Sequence, residues 1–251
     1  MAGANFWTER TVAWYARAVE RSDYARRVLD VLLPKLGPCR DALDVGAGCG
    51  ALTLPLARRL DAVTALEPAP AMARSLRDAV ARAGLDNVRV IEARWGEVPP
   101  AAHDLVICAH VGGLMRPDSP FLREVGRVAR RLVALVRDVD GGPRGDKFFF
   151  SELYPALLGR PYGHTGDADE TLAGLRALGI EPEVTVISYA SDQPFEGLDE
   201  ACDFFMTYLG IEGAAPRAYL DRFLRERLLP RNGELIAPFT KTAAVISWPT
   251  V

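Results

Sequence analysis

Leu43-Asp44-Val45-Gly46-Ala47-Gly48-Cys49-Gly50 decides the fold, because it carries an apolar strand into a helix through three alternate glycines. Glycine permits the sharp bend such a junction needs and lets a ligand approach the backbone without meeting a Cβ. The helix that follows offers N–H groups and a positive dipole end, which suit a carboxylate as well as a phosphate. About twenty residues on, Glu67 closes the next strand, where a carboxylate can accept hydrogen bonds from both hydroxyls of a ribose.

Outward from this turn the chain alternates. Strands are expected at Asp41 to Val45, Ala62 to Leu66, Val88 to Glu92, His103 to Ala109 and Leu132 to Val139. Helices are expected at Ala51 to Leu60, Pro70 to Ala83 and Ser119 to Arg130. Near-continuous Val/Ile/Leu strands separated by helices imply a mostly parallel sheet covered on both faces. Residues 1–37 read as helical up to Gly37-Pro38, with Val28, Leu29, Leu32 and Leu33 as an apolar stripe. Beyond Asp140 comes a flexible Asp-Gly-Gly-Pro-Arg-Gly turn, then an aromatic stretch holding Phe148, Phe149, Phe150, Tyr154 and Tyr162. A helix at Asp167 to Leu178, a strand at Glu183 to Tyr189, helices at Leu198 to Leu209 and Pro216 to Leu229, and a last strand at Thr242 to Trp248 complete the pattern.

Bulk properties narrow the function. In 251 residues, 49% are apolar and 25% charged, the balance of a chain that buries a real core. Net charge is −3, so nothing demands a nucleic-acid surface. Arg26-Arg27, Arg58-Arg59 and Arg130-Arg131 are expected near helix ends, on solvated faces. No apolar run is long enough for a bilayer, and the N-terminus lacks a basic-then-apolar leader, so a cytoplasmic protein is expected. Cys39, Cys49, Cys108 and Cys202 are scattered without metal spacing, which implies reduced thiols and no metal.

Gly46, Gly48 and Ala51 satisfy a relaxed dinucleotide pattern, so an NAD(P)-dependent oxidoreductase must be weighed. Asp44 argues against it, since a carboxylate at the pocket mouth repels a pyrophosphate and welcomes an ammonium. The run LDVGAGCG, with ALEP at the second strand and HDLVICAHV at the fourth, resembles the class I S-adenosylmethionine-dependent methyltransferases. The resemblance covers about Asp41 to Val139. It implies an α/β, Rossmann-like, doubly wound sheet of seven strands, the last antiparallel beside the sixth. As one domain over 1–251, this would comprise N-terminal helices (1–37), a cofactor core (38–139) and a substrate-side half (140–251) with a helical insertion at 196–230.

By the same resemblance, Gly46, Ala47, Gly48 and Gly50 would lie against the methionine part of S-adenosylmethionine. Asp44 would reach its ammonium, Glu67 with Pro68 would hold the ribose, and Ala109 and His110 would border the cofactor. Many members carry an acidic adenine partner after the third strand. This chain has Ala93-Arg94-Trp95, leaving the backbone of Arg94 and Trp95 for the adenine edge and the indole for stacking or core packing.

His110 is the titratable side chain expected near the transferred methyl, able to take a proton from an attacking hydroxyl or amine. His103 starts the same strand at its far end and reads as a surface residue. Tyr15, Tyr154, Tyr162 and His164 are candidates to contact substrate, and Tyr24 on the N-terminal helices invites the same question. The place after the fourth strand reads Cys108-Ala109-His110-Val111, without the Pro-Pro-aromatic run of enzymes that methylate base amines. A small-molecule O, N or C nucleophile is therefore the expected acceptor, with no nucleic-acid or membrane partner and a homodimer left open. An S-adenosylmethionine-binding protein without catalysis is the remaining alternative, since fold does not certify chemistry.

Overall fold

The computed structural model describes residues 6–98, 101–139, 147–163 and 168–250. β1 (Asp41–Val45) is buried from Ala42 onward and pairs in parallel with both β2 (Ala62–Leu66) and β4 (His103–Ala109). β3 (Val88–Ile91) flanks β2, and β5 (Ala129–Asp138) flanks β4, again in parallel. β10 (Thr240–Pro249) runs antiparallel between β5 and β6 (Glu183–Ala190), giving the order β3-β2-β1-β4-β5-β10-β6. The seven-stranded, Rossmann-like sheet is thus as expected, with its antiparallel strand inserted beside the sixth.

Strand geometry distributes the core. Successive β4 side chains point to opposite faces. Leu105 and Ile107 pack with Val28, Leu32 and Leu56 from α2 (Tyr24–Leu36) and α3 (Thr53–Ala57). Val106 and Cys108 pack with Phe121, Leu122 and Val125 of α5 (Pro120–Val128) and with Leu172 and Leu175 of α7 (Ala168–Ala177). α4 (Pro70–Arg82) covers β2 and β3. β1 sits where the strand order reverses, so the open ends of β1 and β4 frame the crevice in which ligands of such sheets bind.

The N-terminal helices are as expected, α1 (Glu9–Arg21) and α2, parted where Ser22 is extended at ψ 142° and its Oγ accepts the Tyr24 N–H; other elements differ. The helix after the glycines keeps only Thr53–Ala57. α5 ends at Val128, and the chain pairs at once with β4 through Ala129 opposite His103. Arg130 therefore lies on a strand, bonded to Asp41 and Asp104, not on a solvated helix end. His103 is buried at 8% exposure with Nδ1 3.1 Å from Asp41, which corrects its reading as a surface residue.

The aromatic stretch folds as a single turn at Lys147–Phe149 and α6 (Phe150–Leu158). The expected helical insertion contains α8 (Leu198–Leu209) and α9 (Ala214–Arg227), yet it also builds a second small sheet. There β9 (Glu234–Ala237) pairs antiparallel with β7 (Gln193–Phe195) and β8 (Leu229–Arg231). α6, α8 and α9 close a separate aromatic core around Phe148, Phe195, Phe204, Phe205 and Phe223. The Asp140 turn and His164 lie outside the described residues.

Candidate active site

The glycine turn binds itself before it binds anything else. The N–H groups of Gly46 and Ala47 both donate to the Leu66 carbonyl, and that of Gly50 donates to Ala47. The Gly48 N–H donates to Glu67 Oε2 at 2.8 Å. These donors of the turn itself are thereby withdrawn from an incoming phosphate. Nor are the three glycines equivalent. A Cβ on Gly46 would strike Val111 at 2.3 Å, and one on Gly50 would strike Leu54 at 2.3 Å and Leu76 at 2.6 Å. Those two are glycine for packing and for positive φ. At Gly48 the nearest atom to such a Cβ is Tyr15 Cε1 at 3.9 Å, so only this position opens on unfilled space.

Two carboxylates face that space. Glu67, 7% exposed, accepts the Gly48 N–H on one oxygen and the Ala69 N–H at 2.8 Å on the other. Each oxygen retains a second lone pair, the requirement for gripping a diol. Asp44, 2% exposed, accepts the Thr53 hydroxyl at 2.6 Å. Burial pushes its carboxyl up to about 6 despite that bond, and the Glu67 charge pushes the same way. Glu67 is likewise raised, by burial against its two backbone bonds. Neither has an ion-pair partner among the described residues. The pocket is thus short of a positive charge, and a cation with hydroxyl groups fits it where a pyrophosphate does not.

Tyr15 covers this space from α1, which packs against α4 through Val12, Met72 and Ala71. Burial drives the Tyr15 phenol well above its usual range. Pro68 is exposed beside Glu67. The adenine side is less as expected. The Arg94 N–H already donates to Glu97 at 2.7 Å, and its side chain is exposed. The Trp95 indole meets Phe121 edge-on at 4.9 Å and donates to Glu124 at 3.1 Å, the packing alternative of its two readings.

Across the crevice, β4 ends at Ala109, and His110 turns away with a left-handed backbone at φ 57°. Non-glycine residues hold that conformation when their surroundings impose it, often at functional sites. Its N–H is tied to the Val136 carbonyl, and its ring is fixed from both ends. Nδ1 lies 3.0 Å from Asp138 Oδ1 and 3.5 Å from Lys241 Nζ, and Nε2 lies 3.2 Å from the Tyr189 hydroxyl. The carboxylate selects the tautomer with hydrogen on Nδ1, leaving Nε2 as the basic atom. Burial and then Lys241 hold the imidazole below its ordinary value, with Asp138 opposing them, so the ring is neutral at neutral pH. Lys241 also pairs with Asp138 at 3.0 Å.

Asp138, Tyr189 and Lys241 were not among the sequence candidates. Asp138 was legible in principle, as a carboxylate ending the apolar β5 at the same sheet edge as His110. Tyr154 and Tyr162 instead pack on each other at 4.9 Å and on Phe150, inside the aromatic core.

Residues 42–131 match the family model of the methyltransferase domain. Over that span the chain is similar to the class I methyltransferases, whose methyl donor is S-adenosylmethionine. A putative methyltransferase from Bacillus halodurans superposes with a TM-score of 0.54 at 16% identity, over 90% of this chain and 98% of that one. A putative type II methyltransferase from Anaeromyxobacter dehalogenans gives 0.55 at 24% identity, over 88% and 96%. A precorrin 8w decarboxylase from Methanobacterium thermoautotrophicum gives 0.51 at 19%, over 88% and 89%. At these identities the likeness speaks for the fold. A search of the curated proteins finds no match.

Proposed function

We propose that this methyltransferase acts on a small molecule, held between the glycine turn and the His110 cluster. The observation that carries the reading is the pair of buried carboxylates, Asp44 and Glu67, around the open position of Gly48. Glu67 would hold the ribose hydroxyls through its remaining lone pairs, and Asp44 would balance the methionine ammonium. Tyr15 would close the space and exclude water. S-adenosylmethionine, when bound, supplies a methyl group made electrophilic by its sulfonium.

The acceptor side would be aromatic. Tyr24 and Tyr189 are 9% and 6% exposed, and their rings lie 4.8 Å apart beside His110. Buried surroundings of this kind suit a compact acceptor better than a duplex or a folded protein. His110 would take the proton that the acceptor releases, and Asp138 would steady the imidazolium so formed. Positioning supplies the rest, since in-line alignment alone lowers a bimolecular barrier by roughly 7 to 11 kcal/mol in ideal cases.

Calorimetric titration with S-adenosylmethionine and with NADH tests the cofactor side. Binding of the first alone is expected, because the turn's N–H groups are spent on Leu66, Ala47 and Glu67. Binding of NADH instead would return the chain to the oxidoreductases. His110→Ala is expected to keep cofactor affinity and lose at least about tenfold in turnover, the low end for a general base. Unchanged turnover would remove His110 from the chemistry.

A further inference from the structure

Among the described residues, the cofactor reading leaves a buried tyrosine hydroxyl beside His110 unused. Tyr24 opens α2 at 9% exposure, with its ring 5.5 Å from that of His110 and 4.8 Å from that of Tyr189. Its hydroxyl is buried and finds no hydrogen-bond partner among the described residues. The ring therefore lies against the His110 cluster, with its hydroxyl buried there. An unpaired buried hydroxyl costs stability that phenylalanine, of the same shape, would not. A ligand atom that accepts its hydrogen would explain the tyrosine.

We propose that Tyr24 donates this hydrogen bond to the methyl acceptor, and that the atom receiving the methyl is the oxygen of an alcohol or phenol. The inference rests on the assignment of the His110 pocket to the acceptor. A hydroxyl oxygen has two lone pairs, so it accepts from Tyr24 with one and attacks with the other. A neutral amine nitrogen has one lone pair and cannot do both. As the new C–O bond forms, the electron pair of the broken C–S bond stays on sulfur, leaving a neutral thioether. The acceptor's proton passes to the Tyr189 hydroxyl while that hydroxyl gives its own to His110 Nε2, 3.2 Å away. The resulting imidazolium faces Asp138 at 3.0 Å.

Tyr24→Phe removes the hydroxyl and nothing else. Three measurements decide: the thermal midpoint of the ligand-free variant, its affinity for S-adenosylhomocysteine, and methyl transfer to a panel of matched alcohols, phenols, amines and thiols. The last uses labelled S-adenosylmethionine, with the labelled atom located by mass spectrometry. The midpoint is expected to hold or rise and S-adenosylhomocysteine affinity to stay within about twofold. Transfer to the preferred acceptor should fall about tenfold, the loss of one hydrogen bond, with the label on oxygen in the wild-type product. A midpoint several degrees lower would show a structural partner for the hydroxyl and overturn the proposal. So would a tenfold loss of S-adenosylhomocysteine affinity, which would give the hydroxyl to the cofactor, or a label on nitrogen, sulfur or carbon. If no panel member is methylated, the first two measurements still decide. Failure of the wild type to bind S-adenosylhomocysteine would sink the underlying functional reading, a different outcome.

Discussion

Asp44 shows at the scale of one residue how the candidate site is held in readiness. Its carboxyl is raised from an ordinary 3.8 to about 6 because it is buried without a cation. Raised in the fold, it favours the protonated form, so its contribution to ligand-free stability is full below about 4 and lost as pH rises through about 6. A shift of this size corresponds to roughly 3 kcal/mol. The methionine ammonium, in contrast, needs the ionised form. S-adenosylmethionine affinity is therefore expected to strengthen between pH 5 and 7.5. Asp44→Asn should flatten that dependence and weaken binding, yet raise the ligand-free melting temperature at pH 8. Paired calorimetry across the pH range checks both, and a pH-independent affinity in the wild type would remove Asp44 from the cofactor's charge balance.

At the scale of an element, α1 does two jobs on two faces. Val12 and Tyr15 meet Cys49, Ala71 and Met72 over the glycine turn. Arg10 pairs with Asp203 and Arg17 with Glu196 and Glu200, all from the insertion, and Arg21 pairs with Glu234 on β9. Exposed pairs of this kind contribute about 0–1 kcal/mol each, so together they set how firmly the helix lies rather than whether the protein folds. Replacing the three arginines by glutamine is expected to speed amide exchange across α1 while leaving β1 and β4 protected. Unchanged exchange in α1 would mean that its apolar face alone holds it down.

Elements of this size were legible to very different degrees. β1, β2, β4 and α8 fall on the expected residues, because a buried parallel strand is a short continuous apolar run and α8 is closed by Gly210. β7, β8 and β9 were missed. Each has three or four residues, two contain proline, and β7 and β9 find each other from opposite sides of α8 and α9. Nothing local marks such pairing. In the site, the turn, Asp44 and Glu67 were readable from spacing, whereas Tyr189 and Lys241 reach His110 only through the pairing of β10 with β6.

At the scale of the whole molecule, Trp14 joins the insertion to the helix that covers the glycine turn. Neighbours on a helix point about 100° apart, so Trp14 enters the aromatic core while Tyr15 covers the turn. Trp14 is 1% exposed, meets Phe204 at 5.4 Å, and its indole donates to Glu200 at 2.9 Å. The Gln193 side chain donates to its carbonyl at 3.2 Å. Trp14→Ala should therefore cost about 3–5 kcal/mol, as deletion of a buried aromatic does. Because α1 would lose its anchor, cofactor affinity should fall as well, although Trp14 does not face Gly48. Trp14→Phe restores most of the volume but not the bond to Glu200, so it should recover affinity more fully than stability. Chemical denaturation read beside S-adenosylmethionine titration separates the two. If Trp14→Ala destabilises the fold while binding stays at the wild-type level, the insertion and the cofactor mouth are mechanically independent.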